Sequence, residues 1–282
     1  MAVALATVFK PYVDEQFATQ SKRSWLTNRD FDWTGAHTVK VYKITTSAMN
    51  DYGRTGPSEG AWSRYGKIGD LNAVTEEMTL SKDRSFIFNV DKLDQDETQA
   101  ALNAASALAR QIREVANPEI DKYVYGVMCA KAGTKPAAKA LTSADIYTDI
   151  LAASQALDDA EVPEMGRVLV VSPEIYVMLK QNKDIMMETD ISAEMLQTGI
   201  IGMIDGLLVQ KIPANRLPDD FGFMVAHPCA TVAPVKLEDY NIHSDTIYGS
   251  GSIVTGRICY DAFVLDNKAK AIYYQAKTKA SA

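Results

Sequence analysis

Cysteine and histidine are scarce: the 282-residue chain holds three of each. Cys129, Cys229 and Cys259 lie far apart with no CxxC among them, and an odd count without spacing reads as reduced thiols of a cytosolic setting. His37, His227 and His243 share no i, i+4 spacing, so no single helix presents a two-histidine metal site. Long apolar runs are missing as well. No stretch of 18 apolar residues occurs and the mean hydropathy is -0.13, which excludes a membrane-spanning helix. The opening MAVALATVFKPYVDEQF has neither a basic region ahead of its apolar residues nor a small-residue cleavage site, unlike a secretory signal. Positive charge is in deficit, with 29 Lys and Arg against 36 Asp and Glu, a net charge of -7. Nothing in that balance suggests a sequence-independent nucleic-acid binder, which needs a basic face. Hydrophobic residues at 47% and charged residues at 23% describe a globular chain, long enough for one large or two ordinary domains.

Catalytic motifs are absent too. There is no G-x-x-x-x-G-K-[ST] phosphate loop and no G-x-S-x-G elbow. Gly249, Gly251 and Gly256 have the wrong spacing for a dinucleotide fingerprint and precede a strand, so no helix dipole faces a pyrophosphate. Cys229 stands two residues from His227, but side chains at that spacing on a strand point the same way and no third group accompanies them. Asp158-Asp159 and Glu76-Glu77 are adjacent carboxylates, which read as solvated faces. Neither a cofactor nor a metal is expected.

What is present is a succession of unlike segments. Residues 1–35 scatter Phe9, Phe17, Trp25, Phe31 and Trp33 among polar residues without a regular period, as an arm that lies on another surface. His37 to Ile44 reads as a strand. Thr45 to Asn72 carries five glycines and Pro57, yet also Tyr52, Trp62 and Tyr65 with Asp51, Arg54, Glu59, Arg64, Lys67 and Asp70. A loop that long and that aromatic reads as one that orders against a partner. Val74 to Val90 returns to strand, with Phe86, Phe88 and Val90 on one face. Over 96–130 the stripe Ala101, Ala105, Leu108, Ile112, Val115 predicts a long helix, capped by Asp94 or Asp96 and kinked or broken at Asn117-Pro118. The stripe continues with Ile120, Val124, Val127 and Met128. Lys131 to Lys139, KAGTKPAAK, reads as a linker.

Beyond it the pattern becomes α/β. Ser143 is the expected cap of a helix with Ile146, Ile150, Ala153 and Leu157 inward. Arg167 to Val171 is a short apolar run typical of a strand buried on both faces, and Ser172-Pro173-Glu174 starts a helix. Gly206 to Ile212 and Phe221 to Ala226 are further buried strands. Val232 to His243 alternates loosely, and Tyr248 to Gly251 is a tight glycine-rich break. Ile253 to Leu265 reads as a long strand, turning at Asp266-Asn267 into a hairpin with Ala271 to Gln275.

The run VPEMGRVLVVSPEIYVMLKQNKD (162–184) followed by GIIGMIDGLLVQKIPANRLP (199–218) resembles the major capsid proteins of tailed double-stranded DNA bacteriophages. Arg167, Ser172, Pro173, Gly199, Gly202, Gly206, Leu217 and Pro218 fill the places that carry the likeness. The order of segments is similar to the Hong Kong phage-type capsid fold, over nearly the whole chain. The resemblance implies an α+β fold with an N-terminal arm (1–35), an extended loop with flanking strands (36–90), a peripheral domain with a long spine helix (91–140), an α/β axial domain (141–231), and C-terminal strands completing the peripheral domain (232–282). It implies a subunit that self-assembles into hexamers and pentamers of an icosahedral shell around double-stranded DNA.

On that reading the subunit-contact candidates are Phe9, Phe17, Trp25 and Trp33 of the arm, with Tyr52, Arg54, Glu59, Trp62, Arg64, Tyr65 and Lys67 of the loop. The implied partners are other copies of the chain, a portal protein, and packaged DNA held without sequence-specific binding, with no membrane. Strand-like sequence is reached by His37, leaving no room for the helical scaffolding segment that many relatives carry, so a separate scaffolding protein is expected. The implied location is the virion capsid, assembled in the host cytoplasm. Two other functions stay open. One is an encapsulin-like bacterial compartment shell. The other is an α/β enzyme using 141–231, with Asp145, Asp149 or His227 in a cleft; no catalytic motif supports it.

Overall fold

The computed structural model describes residues 21–28, 38–44, 46–57, 63–67, 71, 73–93, 103–182, 200–244 and 250–278. Two compact units divide the chain: Trp33–Leu80, and Met1–Asp32 together with Ser81–Ala282.

In the smaller unit β1 (Thr38–Ile44) and β2 (Ala73–Thr79) form an antiparallel ribbon, in register from Thr38 opposite Thr79 to Ile44 opposite Ala73. Alternation puts Tyr42 and Ile44 on one face, where both stay exposed, and Val39, Val41 and Met78 on the other. Lys40 pairs with Glu77 directly opposite, at 2.5 Å, and Lys43 with Glu76 at 3.1 Å. Cross-strand pairs of this kind set the register more than they stabilise it.

The first strand of the larger unit is β3 (Lys82–Asp91), so the strand expected over 74–90 is in fact two, divided at Leu80-Ser81. The helix expected over 96–130 is observed as α1 (Ala104–Gln111), one π turn (Ile112–Ala116) and α2 (Asn117–Lys131). Asp94, Asp96 and Ala101 lie outside the described residues. The cap observed is Asn103, whose side chain accepts a bond from the Ala105 N–H at 2.8 Å. The π turn has a local cause. Pro118 has no N–H to give the carbonyl four residues back, and its ring would strike that carbonyl in a regular α-helix. The wider turn accommodates both, and the helical run continues through Asn117-Pro118. The turn also shifts the inward stripe: Val115 is 48% exposed and Ala116 is buried in its place.

After α2 the segment read as a linker is a strap. Backbone N–H groups of Gly133, Thr134 and Lys139 donate to the carbonyls of Ala269, Ile272 and Ala276 at 2.9–3.3 Å. A Cβ at Gly133 would sit 2.6 Å from the Ala269 backbone, so only glycine allows this approach. Then come α3 (Ile146–Asp158), β4 (Val168–Val171), α4 (Pro173–Gln181), β5 (Ile200–Ile204), β6 (Leu207–Lys211), β7 (Phe221–Ala226), β8 (Thr231–Val232), β9 (Val235–Ser244), β10 (Gly251–Tyr260), β11 (Phe263–Val264) and β12 (Ile272–Ala276). Asp145 rather than Ser143 stands at the start of α3, exchanging bonds with Thr142. Ser172 caps α4 as expected, accepting from the Ile175 N–H at 3.3 Å.

Five strands form one sheet in the order β12-β7-β4-β6-β5, with β4 and β6 parallel and the other pairs antiparallel. Both faces are covered, and period-two alternation sorts the side chains between them. Val168, Val170, Met224, Ala226, Ile272 and Tyr274 join the core that holds Ile120, Val124 and Met128 of α2. Leu169, Val171, Phe223, Val225 and Tyr273 join the core under α3 and α4. Each fully buried aliphatic or aromatic side chain contributes roughly 1.5–3 kcal/mol. The hairpin expected between 253–265 and 271–275 does not form. The long strand ends at Tyr260, Asp266–Ala271 is a 3-10 turn, and β12 pairs with β7 instead. Ile272, Tyr273, Tyr274 and Gln275 are all buried, and only a strand covered on both faces accommodates such a run. A separate sheet, β3-β10-β9, packs Phe86, Phe88, Val90 and Val254 against Ala104 and Leu108 of α1.

Candidate assembly surfaces

The described residues at the tip of the smaller unit leave aromatic, apolar and basic side chains exposed. Gly53 N–H donates to the Arg64 carbonyl at 2.9 Å, and Gly66 N–H to the Ser63 carbonyl at 3.2 Å. Gly66 has a φ of 95°, and a Cβ there would lie 2.7 Å from the Asn50 side chain. These contacts bring the Tyr52 and Tyr65 rings edge to face, with centroids 5.1 Å apart. Even so Tyr65 is 78% exposed and Met49 fully so, and Tyr52, Arg54, Arg64 and Lys67 are exposed or nearly so around them. Phe9, Phe17, Trp33, Glu59 and Trp62 lie outside the described residues. Trp25, on the short 3-10 turn Arg23–Trp25, rests half-buried on the core of its own chain beside the buried Leu26.

That turn is fastened by a node that local sequence does not reveal. Asp121 of α2 is 1% exposed. Its Oδ1 accepts from Ser21 Oγ at 2.6 Å and from Arg23 at 3.0 Å, and its Oδ2 from Arg216 at 2.7 Å. Around it Lys22 Nζ donates to the Lys211 carbonyl, and Gln210 Nε2 to the Lys22 carbonyl. Burial, then the charges of Lys211 and Arg216, hold the Lys22 ammonium below its ordinary value.

A second node holds the loop between α3 and β4. Arg167 is buried, donates to the Pro163 and Val162 carbonyls at 3.0 and 2.6 Å, and pairs with Asp158 at 2.7 Å. His227 Nδ1 accepts from the Cys229 backbone N–H at 3.2 Å, and its Nε2 lies 3.1 Å from the Met165 carbonyl. Those partners require the neutral ring with its proton on Nε2. His227 and Cys229 therefore stand at a 3-10 turn, Pro228–Ala230, and not on a strand, and the contact between them is a backbone cap, not a thiol-imidazole pair. Met165, at the end of this loop, is 88% exposed.

Burial lowers the His227 pKa from the ordinary 6.5, and Arg167 and Lys268 lower it further, against the opposing bond to Met165. Between the folded and unfolded values the unfolded chain binds the proton and the folded chain does not. The contribution of neutral His227 is thus present above 6.5 and lost as pH falls toward the folded value. We expect the His227 imidazole to titrate below 6.5 by NMR, and the stability difference between pH 7.5 and 5.5 to shrink in His227→Asn. A ring titrating at or above 6.5 contradicts this.

Among the described residues, the groups expected in a cleft are not gathered into a reaction centre. Asp145 is taken up by Thr142, Asp149 by Lys139, and His227 as above. Burial pushes the Cys129 thiol up to about 12, the opposite of an activated nucleophile. Among the described residues no group of three or more His, Cys, Asp or Glu is placed to hold a metal, and no helix is long and apolar enough to cross a membrane.

A family model described as phage capsid protein matches residues 74–273. No curated protein sequence matches. Among solved structures, a chain of Mycobacterium phage Che8 superposes with a TM-score of 0.75 at 19% identity, covering 96% of each chain. The capsid structure of the cyanophage P-SCSP1u gives 0.71 at 13% identity, covering 98% of this chain and 93% of the other. A virus-like particle from Pyrococcus furiosus gives 0.51 at 13% identity, over 91% and 92% of the two chains. The fold is thus the Hong Kong phage-type α+β capsid fold, and its agreement is better with phage capsids than with that particle. With its family matched across both sheets and the spine helix, the chain belongs to the phage capsid protein family, as a structural protein of the virion and the major capsid protein whose self-assembly forms the shell.

Proposed function

We propose that the chain assembles as hexamers and pentamers into an icosahedral shell around packaged double-stranded DNA, with the tip of the smaller unit as a contact between neighbouring copies. The observation that carries this is the tip itself, where backbone bonds and a ring pair hold Tyr52 and Tyr65 while leaving them, like Met49, in water. Exposed apolar surface on an ordered segment is the mark of an interface, and Tyr, Met and Arg are the residues enriched there. Phe9, Phe17, Trp25, Trp33, Arg54, Glu59, Trp62, Arg64 and Lys67 complete the contact set. In this reading 1–35 is the arm and 36–90 the extended loop. Residues 91–140 carry the spine and 141–231 form the axial domain, with Ile272–Ala276 adding a strand to its sheet. The rest of 232–282 completes the peripheral domain.

Assembly takes place in the host cytoplasm with a separate scaffolding protein and a portal, and involves no catalysis by the subunit. An acidic chain holds the genome without sequence-specific contacts. Cryo-electron microscopy of virions purified from infected host cells tests the proposal. Closed shells of hexamers and pentamers, DNA inside, and residues 46–67 covered by a neighbouring copy are expected. A tip facing solvent, or protein cargo in place of DNA, overturns it.

A further inference from the structure

Asp261 follows the last residue of β10 and is 4% exposed. The ladder between β10 and β3 ends at the pair Tyr260–Lys82, so continuing the register would set Asp261 opposite Ser81. The carboxylate takes over where the backbone ladder stops. Its Oδ2 accepts from both the backbone N–H and the hydroxyl of Ser81, at 2.7 and 2.8 Å. Its Oδ1 accepts from the Tyr123 hydroxyl of α2 and from the Ala262 N–H, each at 2.8 Å. Four donors on one buried carboxylate leave it fully satisfied. The Tyr123 ring is itself held, edge to face with Tyr260 at 5.7 Å and under Lys82 Nζ at 5.1 Å. Ser81, the residue so gripped, is exposed and is the first residue after the smaller unit ends at Leu80.

We infer that Asp261 is a positioning residue for assembly: it tethers the point where the smaller unit joins the chain to the spine helix α2. The consequence for shell geometry rests on the assembly proposed above, whereas the tether itself does not. The ladder is already ten pairs long and its inner face is packed without the carboxylate. What the carboxylate adds is a fixed link between the end of β3 and a helix elsewhere in sequence. Losing the link frees the root of the smaller unit while both sheets persist.

Hydrogen exchange and electron microscopy on the full chain test this, with Asp261→Asn, Ser81→Ala and Tyr123→Phe compared to wild type. Asn keeps the shape but turns an amide donor toward donors. The Ser81 amide is expected to exchange about tenfold faster in Asp261→Asn, the loss of one charge-assisted bond of about 1.4 kcal/mol, with the amides of β4 and β7 unchanged. Ser81→Ala and Tyr123→Phe each delete one hydroxyl and leave the carboxylate, so they keep the test open if Asp261→Asn does not fold; about threefold faster exchange is expected of them. The variants are expected to give shells of mixed size where wild type gives uniform ones. Unchanged exchange at Ser81 overturns the tether, and faster exchange with uniform native shells overturns its role in positioning. If wild type co-expressed with the scaffolding protein forms no shells, the shell reading fails while the exchange result still decides the tether.

Discussion

Asp121→Ala destabilises the larger unit by about 3–5 kcal/mol, the range found when one partner of a buried ion pair is removed. The carboxylate is shared by Arg23 and Arg216, and its loss strips two guanidinium groups of the acceptor that they were desolvated to reach. Urea unfolding of the full chain measures the effect as a lower midpoint at unchanged slope. Arg23→Ala is the informative companion. It removes one donor, leaves Arg216 on Asp121, and loosens only the attachment of residues 21–28, so early proteolysis within that segment is expected with a smaller stability loss. Equal losses in the two variants would mean that Asp121 serves the arm alone. A change below about 1 kcal/mol in Asp121→Ala, no more than one neutral hydrogen bond, would remove the node from the account.

Tyr52→Ala combined with Tyr65→Ala is expected to cut the yield of assembled particles at least tenfold while leaving the melting of the larger unit unchanged. Each ring, if covered by a neighbour, is worth roughly 1.5–3 kcal/mol at every contact, and a shell repeats the contact in every subunit. Because the rings meet edge to face at the tip and are otherwise exposed, folding of the free chain loses only their mutual pairing, about 0.5–1.5 kcal/mol. Sedimentation of expressed protein separates particles from subunits, and normal particle yield in the double variant sinks the assignment of the tip as an interface.

The buried strands were legible because their side chains are apolar at every position, the pattern that a sheet covered on both faces demands: Val168–Val171 and Phe221–Ala226 form where the runs RVLVV and FGFMVA predict them. The Ser172-Pro173 helix start was legible for the same local reason. What failed depends on partners distant in sequence. The Lys131–Lys139 strap looks like a linker because glycine, proline and lysine dominate it, and nothing local tells of the carbonyls of 269–276 that accept its N–H groups. Ala271–Gln275 looked like the return arm of a hairpin because a turn precedes it, whereas burial on both faces sends it to β7. The polar nodes lay out of reach. Asp121 meets residues 95 to 100 positions away, and Ser81 meets Asp261 across 180. At the candidate interface the aromatic content of the loop was readable, but the Tyr52–Tyr65 pairing and the glycine-dependent approach of Asn50 were not.

The π turn at Ile112–Ala116 makes the spine a phase-shifting coupler. A π turn is an α-helix with one residue too many, and that residue rotates everything on one side of it by about 100° relative to a regular helix. Ahead of the turn the rod addresses the three-stranded sheet through Ala104 and Leu108; behind it, the five-stranded sheet through Ile120, Val124 and Met128. One helical run therefore meets both cores, with a one-residue phase shift between the stripes that it presents to them. Removing one residue from within 112–116 would leave both halves with their sequences intact and good helix propensity, yet turn one of the two stripes away from its sheet.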